Sequence, residues 1–278
     1  MESTLASKCK EQQRKFDYRL DTDKCIIAHI DGRSFSKMVK KRFEQPFDSV
    51  FIEAMNETAR LLCSQVQGAV FAYVQSDEIS ILIRKATPVS EVFFGGRMCK
   101  MQSIMASMAT CAFNRIMSAH AISCALESNA INVYEIAAFI QKQPMYQFDC
   151  KVWTVDTEND AMAWFLHRNI DCMRNSKLQA AQTYLSHKEM MNRTSDEAIE
   201  LLWDREHIRW EFYSDACKYG RLIVKEKKEM IGKTTIGSVH TVERNVWIVR
   251  DCFDLTDNDK RQKLFENLFS KSNNDEKC

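Results

Sequence analysis

Apolar residues along the chain fall into two periods, short runs of strand type and longer stretches of helical spacing, and the alternation divides the sequence into elements. Residues 24–30 (KCIIAHI) are apolar enough for a buried strand, which Asp31-Gly32 stops. Residues 36–42 are short and basic, and Pro46 and Asp48 punctuate the chain after them. Asp48 is placed to cap a helix whose inward positions Val50, Phe51, Ala54, Met55, Thr58, Leu61 and Leu62 recur at helical spacing. Residues 69–75 and 79–84 are β-rich runs separated by Ser76-Asp77-Glu78, a hairpin signature. A long helical pattern covers residues 98–126, and residues 148–155 (FDCKVWTV) return to a strand. Thr157 with Asp160 opens a helix that runs to about Tyr184, and Thr194 with Glu197 opens another. Beyond Trp210 the pattern is β again, over residues 220–225 and 237–250, with a turn expected near Arg244-Asn245. Leu264, Phe265, Leu268 and Phe269 mark a last amphipathic helix.

The order β-α-β-β-α-β over residues 24–155 is the split βαβ arrangement of ferredoxin-like folds. It predicts an α+β palm, an antiparallel sheet with helices on one face, carrying helical and C-terminal β additions. Residues 1–230 read as one palm-type catalytic domain with inserted helices, and residues 231–278 as a C-terminal extension of no assigned role. Polymerase palms, nucleotide cyclases and many binding modules share this order, so fold alone decides nothing about function.

Composition narrows the classes. The 278 residues carry 39 Lys+Arg against 38 Asp+Glu, a net charge of +1, which excludes a broadly basic polyanion binder and leaves local patches for any nucleic-acid contact. Only 7 Gly and 3 Pro occur, where average usage gives about 19 and about 14. Each glycine is therefore informative. The 11 Cys form no CxxC pair, which excludes a zinc ribbon and a redox motif. Most lie in apolar stretches, so buried, reduced thiols in a cytoplasmic protein are expected, a mitochondrial one remaining open. The N-terminal stretch lacks the apolar run of a signal peptide, and its Glu2, Glu11 and Asp17 oppose a transit peptide. Residues 101–114 carry no charge but are too short to span a bilayer, so no membrane partner is expected.

Two acidic positions stand out by where they fall. Asp31 ends the first strand and Asp77-Glu78 sits at the tip of the hairpin formed by the next two. In the split βαβ order these strands are neighbours, so the carboxylates converge at one sheet edge. Asp oxygens with a backbone carbonyl suit a hard cation such as Mg²⁺, and two such ions activate an attacking hydroxyl and stabilise a leaving phosphate oxygen. Taken singly, Asp31 is also an ordinary turn residue before Gly, and Asp77 an ordinary hairpin tip. Gly32 lets the backbone approach phosphate closely, and Arg33, Ser34, Phe35 and Ser36 then open a helical turn with free N–H groups. Gly232-Lys233-Thr234 lacks the upstream glycine of a phosphate loop, Lys227 standing there, and no GxGxxG occurs. His29, inside an apolar strand, reads as a core residue.

His29-Ile-Asp-Gly-Arg-Ser-Phe35, Phe43-Glu-Gln-Pro-Phe-Asp48 and Gln75-Ser-Asp-Glu78, in that order, resemble the tRNA-His guanylyltransferase superfamily of 3′-to-5′ nucleotide-adding enzymes. The resemblance extends over roughly residues 15–225. It implies that Asp31, the Gly32 carbonyl and Asp77 bind two Mg²⁺ ions, with Glu78 as a third catalytic carboxylate. Asp31, Gly32, Arg33, Ser34, Phe35, Ser36, Asp48, Ser76 and Asp77 would hold the nucleoside triphosphate, GTP or ATP among them. Arg97 and Lys100 match a cluster that contacts triphosphate near the RNA 5′ end, against the plain reading of a solvated helix face. Arg168, Asp171 and Asn175 would lie near nucleotide or tRNA, against the plain reading of a surface ion pair. A homotetramer is implied by resemblance alone. Met173-Arg174-Asn175-Ser176 stands where the guanylyltransferases have His-Ile-Asn-Asn, and Gln45, Phe47 and Cys150 replace the usual Lys, Asn and Gly. These departures point to the guanylyltransferase-like branch, which resembles template-dependent polymerases that repair 5′-truncated tRNA. Non-templated addition of G to tRNA-His is the alternative, and an idle RNA-binding module on the same fold a third.

Overall fold

The strands β1 (Cys25–Gly32), β2 (Ala69–Gln75), β3 (Glu78–Ile83), β4 (Phe148–Val155), β5 (Arg221–Lys233) and β6 (Val239–Asp251) form one antiparallel sheet in the order β4-β1-β3-β2-β5-β6. The computed structural model describes residues 2–127, 144–233 and 239–272, with scattered positions between 135 and 142. The first four strands stand in the spatial order expected of a split βαβ unit. Between them run α2 (Phe35–Arg42), α3 (Ser49–Gln65) and α4 (Met98–Glu127). Helix α1 (Glu2–Arg14) precedes the sheet; its polar sequence has no apolar period to announce it.

Strand alternation sends side chains to two faces. Ile26, Ala28 and Ile30 of β1 and Ile79, Ile81 and Ile83 of β3 pack against Met55, Ala59 and Leu62 of α3 and Met101, Met105 and Phe113 of α4. Ile27, Phe71, Tyr73 and Leu82 point the other way. They are covered by Phe165 of α5 (Glu158–Tyr184) and Phe265 of α9 (Asn258–Ser272). The palm's own helices α3 and α4 thus lie on one face as expected, and the added helices close the second. Burial on both faces is why the central strands read as continuous apolar runs. A smaller cluster joins Ala180, Ala181 and Leu185 of α5 to Ala198 and Leu202 of α7 (Ser195–Glu206) and to Trp210. Capping boxes at Thr157/Asp160 and Thr194/Glu197 start α5 and α7 where the sequence places them. Ser186/Glu189 caps the short α6 (His187–Met190) in the same way, and α8 (Asp215–Tyr219) leads into β5.

Three expectations are corrected. No turn occurs at Arg244-Asn245: these residues pair with Lys228 and Lys227 in an unbroken ladder that extends to Lys233 opposite Val239. Asn245 lacks the following glycine of a tight two-residue turn, and the ladder has partners along its whole length. The boundary drawn at 230 falls inside β5, and the last helix belongs to the core, its Phe265 ring 5.7 Å from Phe71 and 6.0 Å from Phe165. Burial of the thiols holds for Cys63, Cys172 and Cys252 only; Cys9, Cys99, Cys111 and Cys124 are exposed on helix surfaces, and every described cysteine is free. Among the described residues no helix is long and apolar enough to cross a membrane.

Candidate active site

Pairing of β1 with β3 sets Asp31 opposite Glu78, and pairing with β4 sets it opposite Asp149. The β2–β3 reversal needs only Ser76 and Asp77, with Ser76 in the left-handed region at φ 43°. That turn folds onto the end of β1, where the Gly32 N–H donates to the Asp77 carbonyl at 3.1 Å. A Cβ on Gly32 would stand 2.8 Å from Asp77 Oδ2 and 2.5 Å from Phe35 Cδ2. The Asp77 carboxylate therefore lies in space that only glycine leaves open.

The two acids sit in an unfavourable field. Burial pushes the Asp77 carboxyl up to about 6, and the Asp31 charge adds to the rise. Burial also raises Asp31, with the Glu78 charge beside it. A divalent cation relieves both causes at once. Among the described residues no three His, Cys, Asp or Glu side chains form a metal cage. The donor set that the resemblance implies, two carboxylates and the Gly32 carbonyl, would suit a cation that keeps waters and binds phosphate oxygens, as Mg²⁺ does.

Glu78, beside Asp31, has partners of its own. Its carboxylate accepts from Gln75 Nε2 at 2.6 Å and pairs with Arg168 at 3.1 Å. Arg168, only 9% exposed, also binds Asp171, which takes Arg174 and, at 3.4 Å, Asn175 Nδ2. The ion pair spaced three residues apart on α5 is real, yet it is turned inward and reaches the hairpin tip. Arg168, Asp171 and Asn175 are thus brought to Glu78. Gln75 Oε1 and Arg168 Nε remain buried there without partners.

Residues 31–36 form the turn beside the acids. Arg33 N–H donates to the Gln147 carbonyl at 2.8 Å and its guanidinium to Gln147 Oε1 at 3.1 Å. Ser34 caps α2 in a left-handed conformation. Phe35 is a core anchor, 1% exposed among Phe51, Phe113, Tyr146 and Phe148, so its backbone alone borders a ligand. The side chain of Ser36 lies outside the described residues.

Next to the hairpin tip a cavity of about 240 Å³ opens between α3, α5 and the start of β5. Pro46, Phe47, Phe51 and Ile52 give it an apolar wall, and Gln75, Asn175, Gln179 and Arg221 a polar one. Asp48 borders it while accepting from Phe51 N–H at 2.8 Å and Glu44 N–H at 2.9 Å, which caps α3 and closes the 44–48 loop. At the positions that depart from the family pattern, Gln45 donates to the Phe43 carbonyl at 3.2 Å and Phe47 packs edge-on against Tyr213.

Arg97 and Lys100 are not brought to the carboxylates within one chain. Arg97 bridges to Arg19 before β1, pairs with Asp17 at 2.9 Å, and stands at the Cys25 end of the sheet. Strand β1 separates it from Gly32 by about 23 Å. Lys100 lies over the Phe94 ring. His29 is a core residue, its Nδ1 3.1 Å from Ser80 Oγ and its ring edge-on to Trp164, with burial lowering its pKa to about 4. Gln75, Gln179 and Arg221 escaped the sequence reading. Gln75 is visible only as the strand residue before Ser76-Asp77, whereas Arg221 reaches the site through the pairing of β5 with β2, which nothing local to it announces.

Comparisons with known proteins bear on this geometry. The family model described as "Thg1: tRNAHis guanylyltransferase" matches residues 7–156. An uncharacterized protein of Acanthamoeba polyphaga mimivirus is 28% identical over 240 residues, covering 80% of this chain and 77% of its own length. The tRNA(His) guanylyltransferase of Schizosaccharomyces pombe is 27% identical over 227 residues, or 78% of each chain. A bacterial tRNA(His) guanylyltransferase (Thg1)-like protein solved with ATP shares the fold, with a TM-score of 0.75 at 24% identity over 94% of this chain and 98% of that one. The Saccharomyces cerevisiae tRNA(His) guanylyltransferase aligns with a TM-score of 0.58 at 19% identity, over 76% and 91%. The matched segment takes in more than half of the chain and both Asp31 and Asp77, and the chain belongs to the tRNA-His guanylyltransferase family of nucleotidyltransferases.

Proposed function

We propose that this protein is a Mg²⁺-dependent 3′-to-5′ nucleotidyltransferase that adds nucleotides to the 5′ end of tRNA or tRNA-like RNA, in template-dependent repair of 5′-truncated molecules. The observation that carries the reading is that the Asp77 turn packs onto Gly32, next in sequence to Asp31, close enough for the Asp31 charge to raise the Asp77 carboxyl. Asp31, Asp77 and the Gly32 carbonyl would hold two Mg²⁺ ions, which when bound neutralise phosphate charge and lower the pKa of a nucleotide 3′-hydroxyl. Around them the chain's own part is placement. The turn from Asp31 to Ser36 and the Ser76-Asp77 tip embrace the triphosphate, while the neighbouring cavity takes the base and keeps water from it. Glu78, tied to Gln75 and Arg168, holds the hairpin tip in register beneath Asp31. GTP and ATP are proposed as substrates; solved relatives described as (Thg1)-like proteins hold one or the other. Assembly as a cytoplasmic homotetramer belongs to the same reading.

Support for templated repair is Met173-Arg174-Asn175-Ser176, which replaces the His-Ile-Asn-Asn of the guanylyltransferases while leaving Asn175 at the cavity wall. Non-templated addition of G to tRNA-His is the second reading, favoured by the description of the Schizosaccharomyces pombe relative. The test offers labelled NTPs with a 5′-truncated tRNA and with full-length tRNA-His. Incorporation that follows the opposing base supports repair. Addition of G whatever the opposing base supports the second reading. RNA binding with no incorporation of any nucleotide leaves only an RNA-binding module.

A further inference from the structure

Among the described residues that line the cavity beside the hairpin tip, Arg221 is the one cation. Its side chain is 4% exposed. Nε donates to Asn56 Oδ1 at 2.9 Å and Nη1 to the Ala216 carbonyl at 3.4 Å; among the described residues Nη2 makes no hydrogen bond, and the residue lines the cavity. No carboxylate lies at ion-pair distance among the described residues; Asp251, opposite on β6, attracts it without bonding. A buried guanidinium with no acid is costly, and a donor left without a partner on a residue that lines a cavity marks where a ligand acceptor belongs.

Its place across the sheet decides which part of a nucleotide it meets. Arg221 pairs with Val74 on β2, so β3 and β2 separate it from β1. Three strand spacings make about 14 Å from Asp31. Phosphates held at Asp31 and Gly32 end short of it, and the base, lying against Phe47, Phe51 and Ile52, reaches it. A guanidinium only donates. Guanine offers O6 and N7 as adjacent acceptors, whereas adenine sets an amino donor beside N7. We propose that Arg221 reads the base of the bound nucleotide, donating to guanine O6 and N7 and so favouring guanine over adenine. This rests on the cavity being the nucleotide pocket proposed above. It is compatible with templated pairing, because that edge of guanine stays open in a Watson–Crick pair.

The test is equilibrium binding of GTP, ATP and 7-deaza-GTP to the full chain with Mg²⁺. GTP is expected to bind at least tenfold more tightly than ATP, and loss of N7 to weaken GTP about tenfold, as for one hydrogen bond from a charged donor. Arg221→Met, close in volume, should erase both differences, and Arg221→Lys should keep only part of them because the fork is lost. Where Arg221→Met fails to fold, the comparison of GTP with 7-deaza-GTP on the unmodified chain decides alone. Equal binding of those two overturns the assignment to Arg221 while leaving the nucleotide pocket intact. Failure of all three triphosphates to bind overturns the pocket reading and this inference with it.

Discussion

Gly32 and Asp77 contend for one volume: a Cβ on Gly32 would come within 2.8 Å of Asp77 Oδ2. The same Cβ would meet the Phe35 ring at 2.5 Å, and Phe35 is packed on all sides. Phe35 has no room to yield, so the Asp77 carboxylate must. Gly32→Ala should displace the Asp77 carboxylate, lower nucleotide addition by at least a hundredfold, and cost about 1–3 kcal/mol of stability. Single-turnover incorporation with a thermal melt checks both; near-normal incorporation would show that the carboxylate position is not critical.

Asp31 and Asp77 weaken the fold they serve. Both are partly buried acids whose charges repel, and Asp77 is raised to about 6. Asp77→Asn should therefore stabilise the metal-free protein, by up to about 3 kcal/mol, while abolishing nucleotide addition. Asp31→Asn should act in the same two directions. Denaturant melts in chelator, paired with incorporation in Mg²⁺, measure this. A variant that loses stability and keeps activity contradicts the metal assignment.

Glu78 and Arg168 should be strongly coupled. Arg168→Ala leaves the Glu78 and Asp171 carboxylates in a largely buried setting, at a cost of about 3 kcal/mol. Adding Glu78→Gln removes one of those orphaned charges, so the double variant should recover part of the loss. A double-mutant cycle in urea reads the coupling, and additive costs would mean that the pair is not an energetic unit.

His29 predicts a pH dependence of stability. Its native pKa of about 4 lies below the ordinary 6.5, chiefly through burial, with Arg168 and Lys151 opposing and Asp31 and Asp149 favouring its charge. The ring stays neutral in the native state, facing Ser80 and Trp164. As pH falls from about 6.5 to about 4 the unfolded chain takes up a proton that the native chain refuses, so stability is complete above that window and drains through it. The loss amounts to about 3 kcal/mol. Subtracting the pH profile of His29→Phe should isolate it, and identical profiles would assign the acid sensitivity elsewhere.

The C-terminal helix should prove structural. Phe265 fills the second face between Phe71 and Phe165, so Phe265→Ala should cost about 3–5 kcal/mol, and removal of α9 should leave an unstable protein. A chain ending before residue 258 that melts like the whole protein would restore a separable extension.

Local chemistry announced itself in the sequence. Strand runs over the central sheet, the caps at Asp48, Thr157 and Thr194, and the hairpin at Ser76-Asp77 each depend on residues within four positions of one another, and all appear where their patterns place them. The turn assigned to Arg244-Asn245 failed for the opposite reason: a ladder of partners across β5 outweighs a weak turn signal. The expectation for the exposed Cys111 failed similarly, since an uncharged stretch does not reveal which side of α4 meets the core.

From its sequence alone this chain is legible as a split βαβ palm with acids at the ends of neighbouring strands, because side-chain alternation, caps and motif order are written locally. Tertiary structure alone decided that Glu78, although beside Asp31, is paired with Arg168, that Arg97 stands at the far end of the sheet, and that Arg221 lines the cavity. Those relationships join residues up to 165 positions apart, as with Asn56 and Arg221. Strand pairing and helix docking set them through burial shared over the whole sheet, and no single segment carries that information.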